Sequence, residues 1–272
     1  MLKPTCAIAL FVCAHYCSIG QSVSTLMGSR ANALAYSSAC LQDEWSLFNN
    51  VAGLSKVEQP SLSTAYDWQP SLPIGNRMAA GLCLPTKIGV AGIGFFRFGD
   101  ALYNEQILSG GFANQFGLAS IGAKINYIQY NAEGFGRKGV VTVSLGGIAE
   151  LTPTLKVGAY IININQPVLS KDEKEKIPTT LVTGVAFTPT EKVMIAAQIE
   201  KDIEYQFAWK AALEYKPFKK ASFRTGFNVH PGTAFFGMGF QSKKFRLDYA
   251  LQYSVVTGTG HQASIVYHFK KG

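Results

Sequence analysis

Ser222, His230 and Asp248 are the residue types of a nucleophile, a general base and an orienting acid, so a hydrolase can be drawn from them on paper. All three lie on segments whose alternation gathers polar side chains along one wall. There, hydroxyl, imidazole and carboxylate groups hydrate one another, and no catalytic residue is expected. Past residue 20 the histidines are His230, His261 and His268, and none stands at metal-ligand spacing with cysteine or carboxylate. Gly89, Gly92 and Gly94 spell part of a phosphate loop, yet no Lys-Ser/Thr pair follows and no helix begins there. Neither a metal nor a cofactor is expected. The chemistry left is ionic: Lys210, Glu214, Arg224, Arg246 and Asp248 on that polar wall, with Asp43 and Glu44 as acids available to pair with its Arg or Lys.

The elements that position these charges follow from composition. The 272-residue chain is 47% hydrophobic and 15% charged, against roughly 25% charged in an average soluble domain, and it holds 27 glycines. That is a poor aqueous surface and a good lipid-facing one. The net charge of +8 is not gathered into a Lys/Arg run interleaved with aromatics, so nucleic acid is not an expected partner. Residues 1–20 carry Lys3, an apolar stretch from Cys6 to Cys17, then Ser18 and Gly20, the plan of a secretory signal peptide cut after Gly20. Tyr16 before Cys17 disfavours a lipoprotein site. Export leaves Cys40 and Cys83, which either bond in an oxidising periplasm or, the favoured reading, serve as two small buried hydrophobes.

No apolar run approaches the roughly 18 residues of a spanning helix. An exported, greasy chain without such a helix can satisfy its backbone in hydrocarbon only as a closed barrel. Residues 59–269 fall into segments of about ten residues with two-residue alternation. Phe245, Leu247, Tyr249, Leu251, Tyr253 and Val255 share one face while Arg246, Asp248, Ala250, Gln252 and Ser254 share the other. Phe223 and Phe227 likewise oppose Ser222 and Arg224, and Trp209 and Leu213 oppose Lys210 and Glu214. Segments near residues 87–98 and 119–130 are richer in glycine, which suggests tight curvature or close approach of an internal piece.

Compact Pro-, Thr- and Lys-rich turns alternate with a second set of connections, the longest around residues 166–176, and the count predicts an all-β antiparallel transmembrane barrel of about 14 strands. Both chain ends then fall on the periplasmic side. Such a barrel is too wide for its own wall to fill. Residues 21–58 are assigned as a helical luminal plug or hatch: Ala31, Ala33, Leu34 and Ala35 open a helix, Asp43 and Glu44 start a second through Trp45 and Phe48, and Asn49, Asn50 and Gly53 stop it. Residues 270–272 are a tail.

Gly28, Arg30, Ala31, Ala35, Asp43, Glu44, Leu47, Phe48, Asn50, Ala52, Gly53 and Leu54 together resemble the N-terminal signature of FadL-like outer-membrane barrels of Bacteroidota, especially the PorV/PorQ branch. Val51 stands where that signature usually has proline. Tyr267 and Phe269 resemble the aromatic signal by which assembly machinery reads a barrel's last strand. The resemblance implies a non-enzymatic outer-membrane protein, embedded in outer-membrane lipid, that acts as a subunit or scaffold for type IX secretion or related protein-export machinery. The alternative it implies is a FadL-like channel for hydrophobic small molecules.

Overall fold

In a computed structural model the structure describes residues 24–134, 136–168, 176–202 and 207–270. The expected signal peptide and most of the charged 171–176 run lie outside those residues. The strands are β1 (Ser61–Trp68), β2 (Arg77–Thr86), β3 (Gly89–Gly99), β4 (Tyr103–Phe116), β5 (Ala119–Ala132), β6 (Gly136–Thr152) and β7 (Leu155–Ile162). They continue as β8 (Thr180–Thr190), β9 (Val193–Asp202), β10 (Ala208–Phe218), β11 (Ala221–Asn228), β12 (Thr233–Gln241), β13 (Phe245–Ser254) and β14 (Gly258–His268). Each pairs antiparallel with its sequence neighbour, and β1 closes onto β14 with Ser61 opposite His268 and Trp68 opposite His261. The result is a closed antiparallel barrel without a free sheet edge to be left unpaired in hydrocarbon.

The compact turns and the second set of connections occupy opposite ends, called here the turn end and the loop end, where the sequence punctuation puts them. Several strand boundaries differ by a few residues: β8 runs on through Thr188–Thr190 and β10 through Pro217 and Phe218. β13 stops at Ser254, and Val255 is an exposed turn residue, because the chain reverses there into Gly258 at φ 74°.

Alternation follows burial: β1 reads buried-exposed without a break over eight residues. Its exposed face, with Leu62 and Tyr66, continues around the ring through residues such as Ile93, Leu108, Phe187 and Phe223. An apolar belt encircling the molecule is far larger than the patches soluble monomers tolerate and suits a bilayer core.

The lumen is filled by the N-terminal segment. A short helix α1 (Ser29–Ala33) is followed by two 3₁₀ turns, Glu44–Leu47 and Val51–Lys56. The first helix is shorter than the alanine run suggests: Ala35 and Tyr36 both take φ 54°, which reverses the chain after one turn. Asp43 caps the second element, its side chain accepting from Trp45 N at 3.0 Å. The Glu44–Leu47 turn ends ahead of an extended Asn50, as expected, whereas Gly53 stops nothing. The Asn50 carboxamide accepts from Ala52 N and starts a further turn that runs through Gly53. Gly53 is required by space, because a Cβ there would overlap Leu41 O.

Glycine on the inward face explains the weak alternation of the early strands. A Cβ at Gly122 would come within 2.9 Å of Val51 C and Ala52 N, and one at Gly94 within 2.7 Å of Phe48 Cζ. The wall gives up side chains where the internal segment presses against it.

Candidate functional site

Met27, Leu34, Trp45, Leu47, Phe48 and Leu54 on the internal segment are almost fully buried. Burial of six such side chains is worth on the order of ten kcal/mol in total. Buried ion pairs contribute far less net energy, because desolvation offsets most of their attraction. Apolar packing therefore holds the segment in place, and its charges set the orientation.

Those charges form one continuous network at the turn end. Arg30 forks onto Glu214 of β10, with Nε to Oε1 at 2.9 Å and Nη2 to Oε2 at 2.7 Å, and sends Nη1 to Asp43 at 3.0 Å. Glu214 also accepts from Arg224 Nε of β11 at 2.7 Å, and Arg224 Nη1 reaches Asp248 of β13 at 2.6 Å. Arg246 lies 3.3 Å from Asp248 and donates to Glu44 at 2.6 Å, while His268 Nε2 donates to the other Glu44 oxygen at 2.7 Å. Arg224 crosses to Asp248 over β12 only because residue 239 is glycine; a Cβ there would overlap Asp248 Oδ1, Ser222 Oγ and Arg224 Nη1. Burial works against ionisation of Glu44, but the Arg246 guanidinium and the His268 hydrogen bond outweigh it and hold the carboxyl down at about 2.

Glu44 thus meets a wall arginine. Asp43 does not: its partner is Arg30 of the same segment, which carries the contact on to Glu214. Lys210 also stands apart, paired with Glu200 at 2.6 Å. Arg30 and His268 escaped the sequence reading as site residues, although Arg30 is the only basic residue between 24 and 55, a usable signal.

A second clasp, unforeseen from the sequence, lies toward the loop end. Tyr36 Oη accepts from Arg77 at 3.0 Å, Gln262 at 3.2 Å and Asn32 at 3.1 Å, and Asp67 anchors both Arg77 and Gln262.

Trp45 stacks obliquely on Phe48 at 5.9 Å and lies against Gly28, Asn49 donates to Met27 O and Trp45 O, and Asn50 donates to Ala39 O at 2.6 Å and to wall Gly147 O at 3.1 Å. Cys40 and Cys83 are free and buried, and burial pushes the Cys40 thiol up to about 12. Tyr267 packs between Phe245 and Phe269 at 4.9 Å from each ring, and Phe269 N–H donates to Pro60 O at 2.8 Å. His230 sits at the loop end, where it lines a cavity with Pro231, whereas Ser222 and Asp248 line one at the turn end. The paper triad is thus split between opposite ends of the lumen.

The internal segment divides the lumen into two chambers. The loop-end chamber, about 680 Å³, is lined by apolar residues such as Leu26, Ile128, Ile162 and Val182 interleaved with Asn126, Asn163, Thr180, Glu200, Asp202 and His230. The turn-end chamber, about 640 Å³, is lined by Arg30, Asp43, Glu214, Arg224 and basic turn residues such as Lys192 and Lys219. The first has the size of a small-molecule site.

No family model matches the chain, and no curated protein matches it. Solved structures do. The chain is similar to the CymD monoaromatic hydrocarbon channel with TM-score 0.73 at 13% identity, covering 91% of this chain and 99% of that one. It is similar to the Ralstonia pickettii toluene transporter TbuX with TM-score 0.70 at 12% identity, over 91% and 99% of the two chains. A Pseudomonas aeruginosa FadL homologue follows with TM-score 0.62 at 12% identity, over 93% and 99%. At such identity the likeness speaks for the fold, a 14-stranded FadL-type barrel.

Proposed function

We propose that this chain is an outer-membrane conduit for small hydrophobic compounds, closed at rest by its N-terminal segment. The carrying observation is the divided lumen: a chamber of about 680 Å³ at the loop end whose lining mixes apolar and polar side chains, one of about 640 Å³ at the turn end rimmed by paired charges, and a folded segment between them. The shared fold of structures described as a hydrocarbon channel and a toluene transporter supports it. In this reading the turn end faces the periplasm, and a ligand enters the loop-end chamber from outside. Because apolar packing holds the plug, passage requires rearrangement around Ala35–Tyr36 and not expulsion of the segment. Asp43, Glu44, Trp45, Phe48, Asn49, Asn50 and Gly53 are its working residues, and Glu214, Arg224, Arg246 and Asp248 are the wall that receives it.

The test is uptake of radiolabelled toluene by Gram-negative cells with and without the chain. A several-fold faster initial rate with the chain is expected; equal rates overturn the proposal. The resemblance of residues 28–54 to PorV/PorQ favours a second reading, a scaffold of secretion machinery with protein partners. Gentle extraction that yields a stoichiometric complex with exported or outer-membrane proteins would support that reading, and recovery as a lone barrel would count against it.

A further inference from the structure

On five strands the outward side chain nearest the loop end is apolar or aromatic: Trp68 on β1, Met78 on β2, Trp209 on β10, Phe227 on β11 and Tyr253 on β13. Such residues belong at the boundary between hydrocarbon and headgroups. Strands β3 to β6 break this girdle. Arg97, Gln106 and Gln129 lie in one register row across β3, β4 and β5, and Asn131 pairs with Arg137 of β6 in the row beyond. They share the outward face of their strands with the exposed Phe95, Leu108, Tyr127 and Val141, while the alternating Phe96, Ile107, Ile128 and Val140 are buried inside.

The carboxamides of this patch are already ordered. Gln106 Nε2 and Asn131 Nδ2 both donate to Asn104 Oδ1, at 3.1 and 2.9 Å, Gln129 Nε2 donates to Asn131 Oδ1 at 3.1 Å, and Asn104 Nδ2 donates to Asp100 O at 3.1 Å. Tyr127 Oη lies over Gly139, the register partner of Gln129, where a Cβ would overlap it. Arg97 and Arg137 flank the ladder on strands three spacings apart, about 14 Å. Both are exposed, and among the described residues neither side chain has an ion pair or hydrogen bond. Of the acids close in sequence, Asp100 accepts from Leu102 N at 2.8 Å and Tyr103 N at 3.0 Å, and Glu133 stands beyond the patch, between β5 and β6.

We propose that this outward patch holds a glycolipid of the outer leaflet whose sugar headgroup carries two phosphates. Arg97 and Arg137 each take one phosphate as a planar fork of donors, the amide ladder and the Tyr127 hydroxyl meet the sugar between them, and the acyl chains lie along Phe95, Leu108 and Val141. Charge complementarity selects this occupant, because two separated guanidinium groups on a lipid-facing wall need anions at headgroup depth. The proposal rests on the orientation given above, with the loop end outside, and is independent of the cargo.

The experiment mixes the purified full chain in detergent with equimolar bisphosphorylated lipid A, its dephosphorylated form and diphosphatidylglycerol, and counts retained lipid by native mass spectrometry. The bisphosphorylated form should be retained roughly tenfold more than the dephosphorylated one, the scale of charge-assisted hydrogen bonds. Diphosphatidylglycerol, with two phosphates but no sugar, should be retained less than the bisphosphorylated glycolipid. Arg97→Gln with Arg137→Gln should abolish the preference. Lys243→Gln with Lys244→Gln, an equal loss of exposed charge at the turn end, should leave it intact, with strand content by circular dichroism confirming that both variants are folded. Equal retention of the two glycolipid forms, equal retention of diphosphatidylglycerol, a preference that survives the arginine changes, or its loss in the lysine variant would each overturn the proposal. None of these outcomes bears on toluene uptake, so the lipid site and the conduit reading stand or fall separately.

Discussion

Arg224 reaches Asp248 through the space that Gly239 leaves, so a single methyl group there displaces a guanidinium from two carboxylates it serves. Gly239→Ala is expected to cost about 3 kcal/mol or more, the scale for breaking a buried ion pair, seen as a lower denaturant midpoint. Gly110→Ala is the internal control, because a Cβ at Gly110 meets nothing within 4 Å. It should leave the midpoint unchanged within about 0.5 kcal/mol. Glu44 sets a pH dependence at the same scale. Its carboxyl, ordinarily near 4.5, is held at about 2 in the fold, so its contribution is complete above pH 4.5 and is lost as pH falls toward 2. A chain carrying Trp68→Phe and Trp209→Phe reports this through Trp45: its fluorescence should stay constant down to about pH 4.5 and shift to the red below it. A shift centred above pH 6 would contradict the assignment.

The plug and the wall meet as elements, and the two cysteines probe that contact from both sides. Cys40 lies on the plug with its thiol against Gly184 O and Lys156 O, while Cys83 lies on β2 against Glu44 O. Neither should react with a maleimide in the native protein, and both should react after unfolding; labelling of Cys40 alone in the native state would show that the plug leaves its seat. Asn50 ties the second 3₁₀ turn to β6, so Asn50→Ala should cost about 1–2 kcal/mol in the same midpoint assay.

At this scale the sequence is legible where a rule is local. Alternation in segments such as Phe245–Ser254, with Pro-Thr-Lys turns between segments, is enough to count fourteen strands and assign their faces. The partners inside the lumen are not legible, because Arg30 and Glu214 are 184 residues apart and meet only once the ring closes in a particular register. Asp67, Arg77 and Gln262 form a clasp for the same reason, on three strands that include both sides of the closure.

As a whole the molecule combines an apolar belt outside, a wall paired all round, and a lumen cut in two by its own N-terminal segment. A 14-stranded barrel cannot be filled by wall side chains alone, so closure depends on residues 31–54. The most direct test is single-channel recording in planar bilayers of the full chain against a chain lacking those residues, with insertion of both checked by their strand content. The full chain is predicted to pass little ionic current and the deleted one to give stable open steps; indistinguishable currents from two inserted barrels would contradict the account.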